Sequence, residues 1–151
     1  MSQSPQHINV PFISTEPERF RPAYAHDGDA AADLRAACSG SIEPGTRMLI
    51  PCGFSMAIPE GCAGLVLPRS GLAAHHGITV LNAPGLIDSS YRGEIMVSLL
   101  NTDKQEAFEF SVGDRIAQLV VIPYPQVSFI CVDALDDTER GSGGFGSSGI
   151  A

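Results

Sequence analysis

The sequence is poor in lysine: Lys104 is the only one, and the remaining cations are arginines. Nine basic residues stand against 17 acidic ones, leaving a formal net charge of −8. Such a chain has no basic stripe with which to follow a polyanion, which excludes a general nucleic-acid surface. Arginine carries a planar fork of donors suited to phosphate oxygens. A few placed arginines in an acidic protein point to one phosphorylated small molecule rather than a polymer. The four cysteines, Cys38, Cys52, Cys62 and Cys131, have no C-x-x-C spacing and no neighbouring His-x-x-His. They read as reduced small residues, not as zinc ligands or a redox pair. The zinc deaminases are excluded too, because no second cysteine follows Pro51-Cys52 and no His-x-Glu precedes it. No apolar run approaches the roughly 20 residues of a membrane span. Residues 1–7 lack a basic-then-apolar signal, so the chain reads as cytoplasmic. Two catalytic signatures are missing as well. The glycine-rich C-terminal stretch has no Walker A lysine, and Gly-x-Ser-x-Gly does not occur.

What the chain does have is length and apolar content sufficient for one domain: 151 residues, 44% hydrophobic. The apolar segments are short and β-branched, at residues 48–50, 54–58, 65–67, 78–81, 95–100, 108–110, 116–122 and 127–132. Turn signals such as Glu43-Pro44-Gly45, Pro59-Glu60-Gly61 and Val112-Gly113-Asp114 separate them. This spacing predicts an all-β sandwich or barrel, with a single short helix over residues 70–76. Residues 1–133 form the core in this reading. Residues 134–151 form a flexible, glycine- and serine-rich C-terminal arm carrying Arg140 and Phe145.

Five segments carry chemistry. The richest, Asn82-Ala83-Pro84-Gly85-Leu86-Ile87-Asp88-Ser89-Ser90-Tyr91-Arg92-Gly93-Glu94, reads as a strand, a tight return and a second strand over residues 95–100. It sets a carboxylate that can orient a water beside a ring that can pack on a sugar or base. Pro68-Arg69-Ser70-Gly71-Leu72-Ala73 reads either as a phosphate seat at a helix mouth or as an ordinary capped helix with a surface arginine. In Gly113-Asp114-Arg115-Ile116-Ala117-Gln118 the Asp114–Arg115 pair is expected to form a structural ion pair. Gln118, an amide in an apolar strand, needs a polar partner, a phosphate or a reactive water among them. Asp33, within Ala30-Ala31-Ala32-Asp33-Leu34-Arg35, reads as a turn or cap residue unless a metal–phosphate complex lies opposite. The fifth segment is Arg140-Gly141-Ser142-Gly143-Gly144-Phe145-Gly146-Ser147-Ser148-Gly149. His75-His76 reads as a helix-end pair.

In this order the five segments resemble the motifs of the homotrimeric dUTP pyrophosphatases, or dUTPases, and the resemblance runs from Ala30 to Gly149. Two departures, Leu86 where threonine is common and Ser90 where Asp or Gly is common, lie beside the functional positions. The resemblance implies a distorted jelly-roll-like β-barrel or sandwich with three sites at subunit junctions. Water would attack the α-phosphorus of dUTP, leaving dUMP and pyrophosphate, with Asp88 as the general base. This would keep uracil out of DNA and supply dUMP for dTMP synthesis. Arg69, Ser70, Gly71 and Gln118 of one chain would hold phosphates. Residues 82–91 of a second would form a uracil hairpin, in which Asn82 and the main chain of Gly85, Leu86 and Ile87 read the base and Tyr91 packs on deoxyribose. The third chain would lend Arg140, Phe145, Gly146, Ser147 and Ser148. Mg2+ would bridge the phosphates, touched by Asp33 only through water. Two rivals differ on specific features. A deoxycytidine triphosphate deaminase of the same superfamily needs a carboxylate on the strand after the hairpin, and Ile95-Met96-Val97-Ser98-Leu99 has none. A non-catalytic β trimer would have no use for Asp88, Gln118 and the full arm.

Overall fold

The computed structural model describes residues 7–142. Ten strands, all paired antiparallel, form two four-stranded sheets and one two-stranded sheet. The first sheet has the order β1 (Phe12–Ser14), β4 (Arg47–Met56), β8 (Glu94–Asn101), β6 (Ile78–Val80). The second has the order β2 (Ala32–Arg35), β10 (Arg115–Pro123), β5 (Cys62–Leu67), β7 (Gly85–Ile87). β3 (Gly40–Ile42) and β9 (Phe108–Phe110) make the small sheet. The fold is all-β and jelly-roll-like.

Period-2 burial explains why these segments are strands. Along β4, Ile50, Cys52, Phe54 and Met56 are buried while their neighbours are not; along β8, Ile95, Val97, Leu99 and Asn101 are. With Leu34, Val66, Ile78, Ile116 and Leu119 the apolar residues among these form one core. A single polar side chain is fully buried among the described residues, Asn101, and its amide is satisfied. Nδ2 donates to the carbonyls of Ile42 and Glu106, each at 2.9 Å, and Oδ1 accepts from Asp103 N–H at 2.9 Å.

The helix expected over residues 70–76 is α2 (Ser70–His76). It ends at Gly77, whose left-handed φ of 64° lets its N–H close on Ala73 O. Four expectations change. A second helix, α1 (Pro17–Phe20), is a single turn with proline at its start, too short to leave a periodic pattern. Residues 48–50 and 54–58 are not separate strands. β4 runs through Gly53, which at φ +75° forms a bulge rather than a break. Residues 127–132 form no strand and are exposed. Finally, β7 and β8 are not a hairpin. β7 pairs with β5 in one sheet and β8 with β4 and β6 in the other, so residues 88–93 carry the chain between sheets.

Candidate active site

At one end of the second sheet the register brings three expected residues together. Asp33 on β2 lies opposite Gln118 on β10, and Gln118 lies opposite Leu67, the last residue of β5. The chain then passes through Pro68 to Arg69, the N-cap of α2. Gln118 Nε2 donates to Pro68 O at 2.8 Å, so the strand amide finds its partner in the turn that presents Arg69. Asp33 stands between two guanidinium groups: Oδ1 is 3.5 Å from Arg69 Nε and Oδ2 is 3.2 Å from Arg115 Nη1. Arg69 Nη1 also donates to Arg115 O at 2.7 Å. The expected Asp114–Arg115 pair is therefore not what forms. Asp114 accepts the N–H of Ser111 at 2.8 Å, and Arg115 turns to Asp33 across the sheet. Arg115 belongs to this cluster and escaped the sequence reading because its partner is remote in the chain. Ser70 and Gly71 follow Arg69, exposed, in the first turn of α2, and nothing would crowd a side chain at Gly71.

The second group is built on β7. Gly85, buried opposite Val66, leaves just enough room for Asn82, whose Nδ2 lies 3.4 Å from where a Cβ on Gly85 would stand. The Ala83–Pro84 peptide is cis. Leu86 is exposed and Ile87 half-buried. Asp88 follows at the strand's far end, and its carboxylate has no hydrogen-bond or ion-pair partner among the described residues. Its carbonyl accepts Tyr91 N–H at 3.1 Å, closing the turn. The Tyr91 ring folds back over Gly93, where any Cβ would collide with it, and its hydroxyl donates to Glu94 O at 2.9 Å. Arg92 Nη1 binds the carbonyls of Ser89 and Tyr91, at 2.6 and 2.8 Å, and so clips the loop. Asp88 and Tyr91 border a cavity of about 320 Å3 completed by Leu49, Ile95 and Met96. These three apolar walls carried no sequence signal beyond that of ordinary strand residues.

Arg69 and Asp88 sit far apart in one chain, although Gly85 at the near end of β7 lies opposite Val66, next to Leu67. Ile87 is level with Gly64, three strand positions from Leu67, and Asp88 and Arg69 each lie further outward. At ~3.3 Å per residue that is roughly 20 Å along the sheet. Of the arm, Arg140 is described, while Phe145, Gly146, Ser147 and Ser148 lie outside the described residues. Among the described residues no three Asp, Glu, His or Cys side chains converge as a metal cage, and no helix is long and apolar enough to cross a membrane.

The family model for dUTPase matches residues 20–149. The chain belongs to the dUTPase family. A deoxyuridine 5'-triphosphate nucleotidohydrolase of Leifsonia xyli is 52% identical over 142 residues, 94% of this chain and 91% of that relative. One of Cutibacterium acnes is 52% identical over 144 residues, 95% and 93% of the two chains. Among solved structures, a G164S variant of the Staphylococcus bacteriophage 80alpha dUTPase with dUpNHpp superposes with a TM-score of 0.86. It is 25% identical and covers 94% of this chain and 99% of that one. Identity near one half over nearly the full length makes this dUTPase an enzyme of the nucleotidohydrolase type, on the jelly-roll fold its neighbours share.

Proposed function

We propose that the protein hydrolyses dUTP to dUMP and pyrophosphate at sites shared between chains of a homotrimer, with Asp88 as general base. The observation that carries the shared site is the separation within one chain. A general base must come within hydrogen-bond reach of its water. An Asp88 roughly 20 Å from its own Arg69 cannot serve a phosphorus whose neighbours that arginine holds. A second copy, presenting residues 82–91 to the first copy's Arg69, Ser70, Gly71 and Gln118, removes the conflict. The third copy's Arg140, Phe145, Gly146, Ser147 and Ser148 would close over the nucleotide and exclude water.

In this reading the unpartnered Asp88 carboxylate accepts a proton from the attacking water as the bond to the α-phosphorus forms and that to the bridging oxygen breaks. Arg69, held at two atoms by Asp33 and Arg115 O, meets the phosphates already oriented. Asn82 and the main chain of Gly85, Leu86 and Ile87 pair with the uracil edge. Cytosine presents an amine where uracil has a carbonyl, and the unpaired groups can cost 10⁴–10⁵ in discrimination. The Tyr91 ring, fixed at its hydroxyl by Glu94 O, packs on deoxyribose and leaves no room for a 2′-hydroxyl.

The donor set suits Mg2+ carried by the triphosphate rather than caged by protein. Asp33, already flanked by two guanidinium groups, would touch the ion only through its water shell. When bound, the ion supplies charge neutralisation at the phosphate oxygens. By removing dUTP the reaction keeps uracil out of DNA, and its product feeds dTMP synthesis.

The test is a panel of dUTP, dCTP, dTTP and UTP with magnesium, following pyrophosphate and ammonia. Pyrophosphate from dUTP alone, without ammonia, is expected. Asp88→Asn is expected to keep the fold and lower turnover roughly 10²–10⁴-fold. Near-normal turnover by a pure preparation of that variant removes Asp88 from the role of base.

A further inference from the structure

The bulge in β4 leaves two backbone groups of Gly53 without ladder partners, and two side chains from elsewhere satisfy them. Ser14 Oγ donates to Gly53 O at 2.6 Å, and Glu94 Oε1 accepts Gly53 N–H at 3.0 Å. The bulge is rigid for reasons beyond these bonds. Gly53 holds a φ of +75°, and the Phe20 ring lies 2.7 Å from where a Cβ would project, so neither its conformation nor its surroundings admit another residue. Glu94 is also the first residue of β8, opposite Ser55, and its own carbonyl accepts the Tyr91 hydroxyl at 2.9 Å. One residue thus touches both the fixed point in β4 and the tip of the Tyr91 ring. No other residue among those described hydrogen-bonds Gly53 through its side chain and also bonds the loop that carries Asp88 and Tyr91.

We infer that Glu94 is a positioning residue for sugar selection. Its carboxylate anchors the start of β8 to the Gly53 bulge, and its carbonyl thereby fixes the Tyr91 ring against the deoxyribose. The inference rests on the proposed dUTP reading, in which Tyr91 packs on the sugar. It adds that the plane of the ring is set from the opposite strand through an exposed carboxylate. That bond is worth keeping despite its exposure because Gly53 N–H has no alternative acceptor in the ladder. Losing the anchor leaves the Tyr91–Glu94 bond intact but lets its carbonyl end move. The expected result is a looser fit around the 2′ position, not a lost interaction with the base. The geometry also accounts for the glutamate after Tyr91-Arg92-Gly93: the turn needs Gly93 for the ring to fold back and Glu94 to hold the ring's far end.

The test measures kcat/KM for dUTP, UTP and dCTP, with the thermal midpoint, in wild type, Glu94→Ala, Glu94→Gln and Ser14→Ala. Glu94→Ala is expected to lower the dUTP-to-UTP ratio by roughly tenfold, the effect of one lost hydrogen bond, and to leave the dUTP-to-dCTP ratio within about threefold of wild type. Glu94→Gln retains an acceptor oxygen for Gly53 N–H and should restore the dUTP-to-UTP ratio. Ser14→Ala removes the other bond to the bulge without touching the Tyr91 side, so it should lower the midpoint while sparing the ratio. If Ser14→Ala erodes sugar selection as much as Glu94→Ala, or Glu94→Ala leaves it unchanged, the positioning role is wrong. If wild type itself fails to prefer dUTP, the fault lies with the functional reading instead, and the two failures are told apart in one set of assays.

Discussion

A mixing experiment puts a number on the separation between Arg69 and Asp88. In the proposed reading, Arg69→Ala and Asp88→Asn would each disable every site in a homo-oligomer of their own kind. Loss of the base is expected to cost roughly 10²–10⁴ in turnover. Removing a guanidinium that makes charged hydrogen bonds costs about 1.5–3 kcal/mol, or roughly 10- to 100-fold. The unmixed variants therefore retain at most about a tenth of wild-type activity. Now let chains of the two kinds exchange freely in equal amounts. A site built from Arg69 of one chain and Asp88 of a neighbour is intact when the first comes from the Asp88→Asn variant and the second from the Arg69→Ala variant. For a closed symmetric assembly that holds for roughly one quarter of sites. Pyrophosphate release should rise to about 25% of wild type, against about 5% or less if each chain contained its whole site. Subunit exchange is verified independently by native mass spectrometry of mass-tagged chains. Complete exchange with no rise above the average of the two parents would refute the shared site and, with it, the register argument that separates the two residues.

Three further outcomes follow from single features. Tyr91→Ala should erode discrimination against UTP more than discrimination against dCTP, since in the proposed reading the ring guards the sugar and the β7 main chain reads the base; kcat/KM ratios for the three nucleotides decide it. Asn101→Leu should destabilise by on the order of 3–5 kcal/mol in urea denaturation, because it strands the Ile42 and Glu106 carbonyls and the Asp103 N–H in or near the core; a loss under 1 kcal/mol would mean water replaces the amide. Burial, then the nearby Glu94 and Cys38, push the Cys52 thiol from 9.0 up to about 12. The folded chain thus holds this proton more tightly than the unfolded one. The associated stability is whole below about pH 9 and drains away as pH rises toward about 12, with a limiting slope of ~1.4 kcal/mol per unit. Comparing wild type with Cys52→Ala across pH 8 to 11 isolates that slope, and parallel curves would remove the cause.

The fold class was legible because its signal is local. Alternating apolar residues between Pro and Gly marks strands whatever their partners, and residues 70–76 lack the β-branched run that would make them a strand. What escaped was pairing. Gly53 reads as a break, yet an isolated glycine also permits a bulge, and only the Phe20 ring above it and β8 beside it decide between the two. Residues 82–100 read as a hairpin because the two apolar segments are close in sequence. In the fold, β7 gains more by covering the edge of β5, and β8 fills the gap between β4 and β6. Residues 127–132 have strand composition but pair with no described strand, so composition alone misled there. At the candidate site, residue types suited to the proposed chemistry were legible in the motifs. Their internal supports were not: Arg115 finds Asp33 and Glu94 finds Gly53 only once distant strands meet.

The placement of charge answers how a protein with a net charge of −8 can receive a triphosphate. Arg69 and Arg115 share one carboxylate, Asp33, so the cluster keeps one positive charge in excess while its guanidinium groups are held in fixed directions. An unheld arginine would offer the same charge but would have to give up side-chain freedom on binding, which costs up to about 2 kcal/mol. Asp33, with only 14% of its side chain exposed, fixes that orientation before substrate arrives. The carboxylate proposed as the general base, Asp88, stands at the other end of the sheet in the same chain. Roughly 20 Å is more than two screening lengths at physiological salt, which are ~8 Å each, so Asp88 does not offset the cluster of its own chain. Base and anion seat would then meet only across a subunit junction, where the phosphates lie between them. In that arrangement the isolated chain would have neither the self-cancelling ion pair that an Asp88 beside Arg69 would form nor a complete site. In the proposed reading, keeping the base unpaired until a second copy and a nucleotide are both present would be the electrostatic advantage of dividing the site between chains.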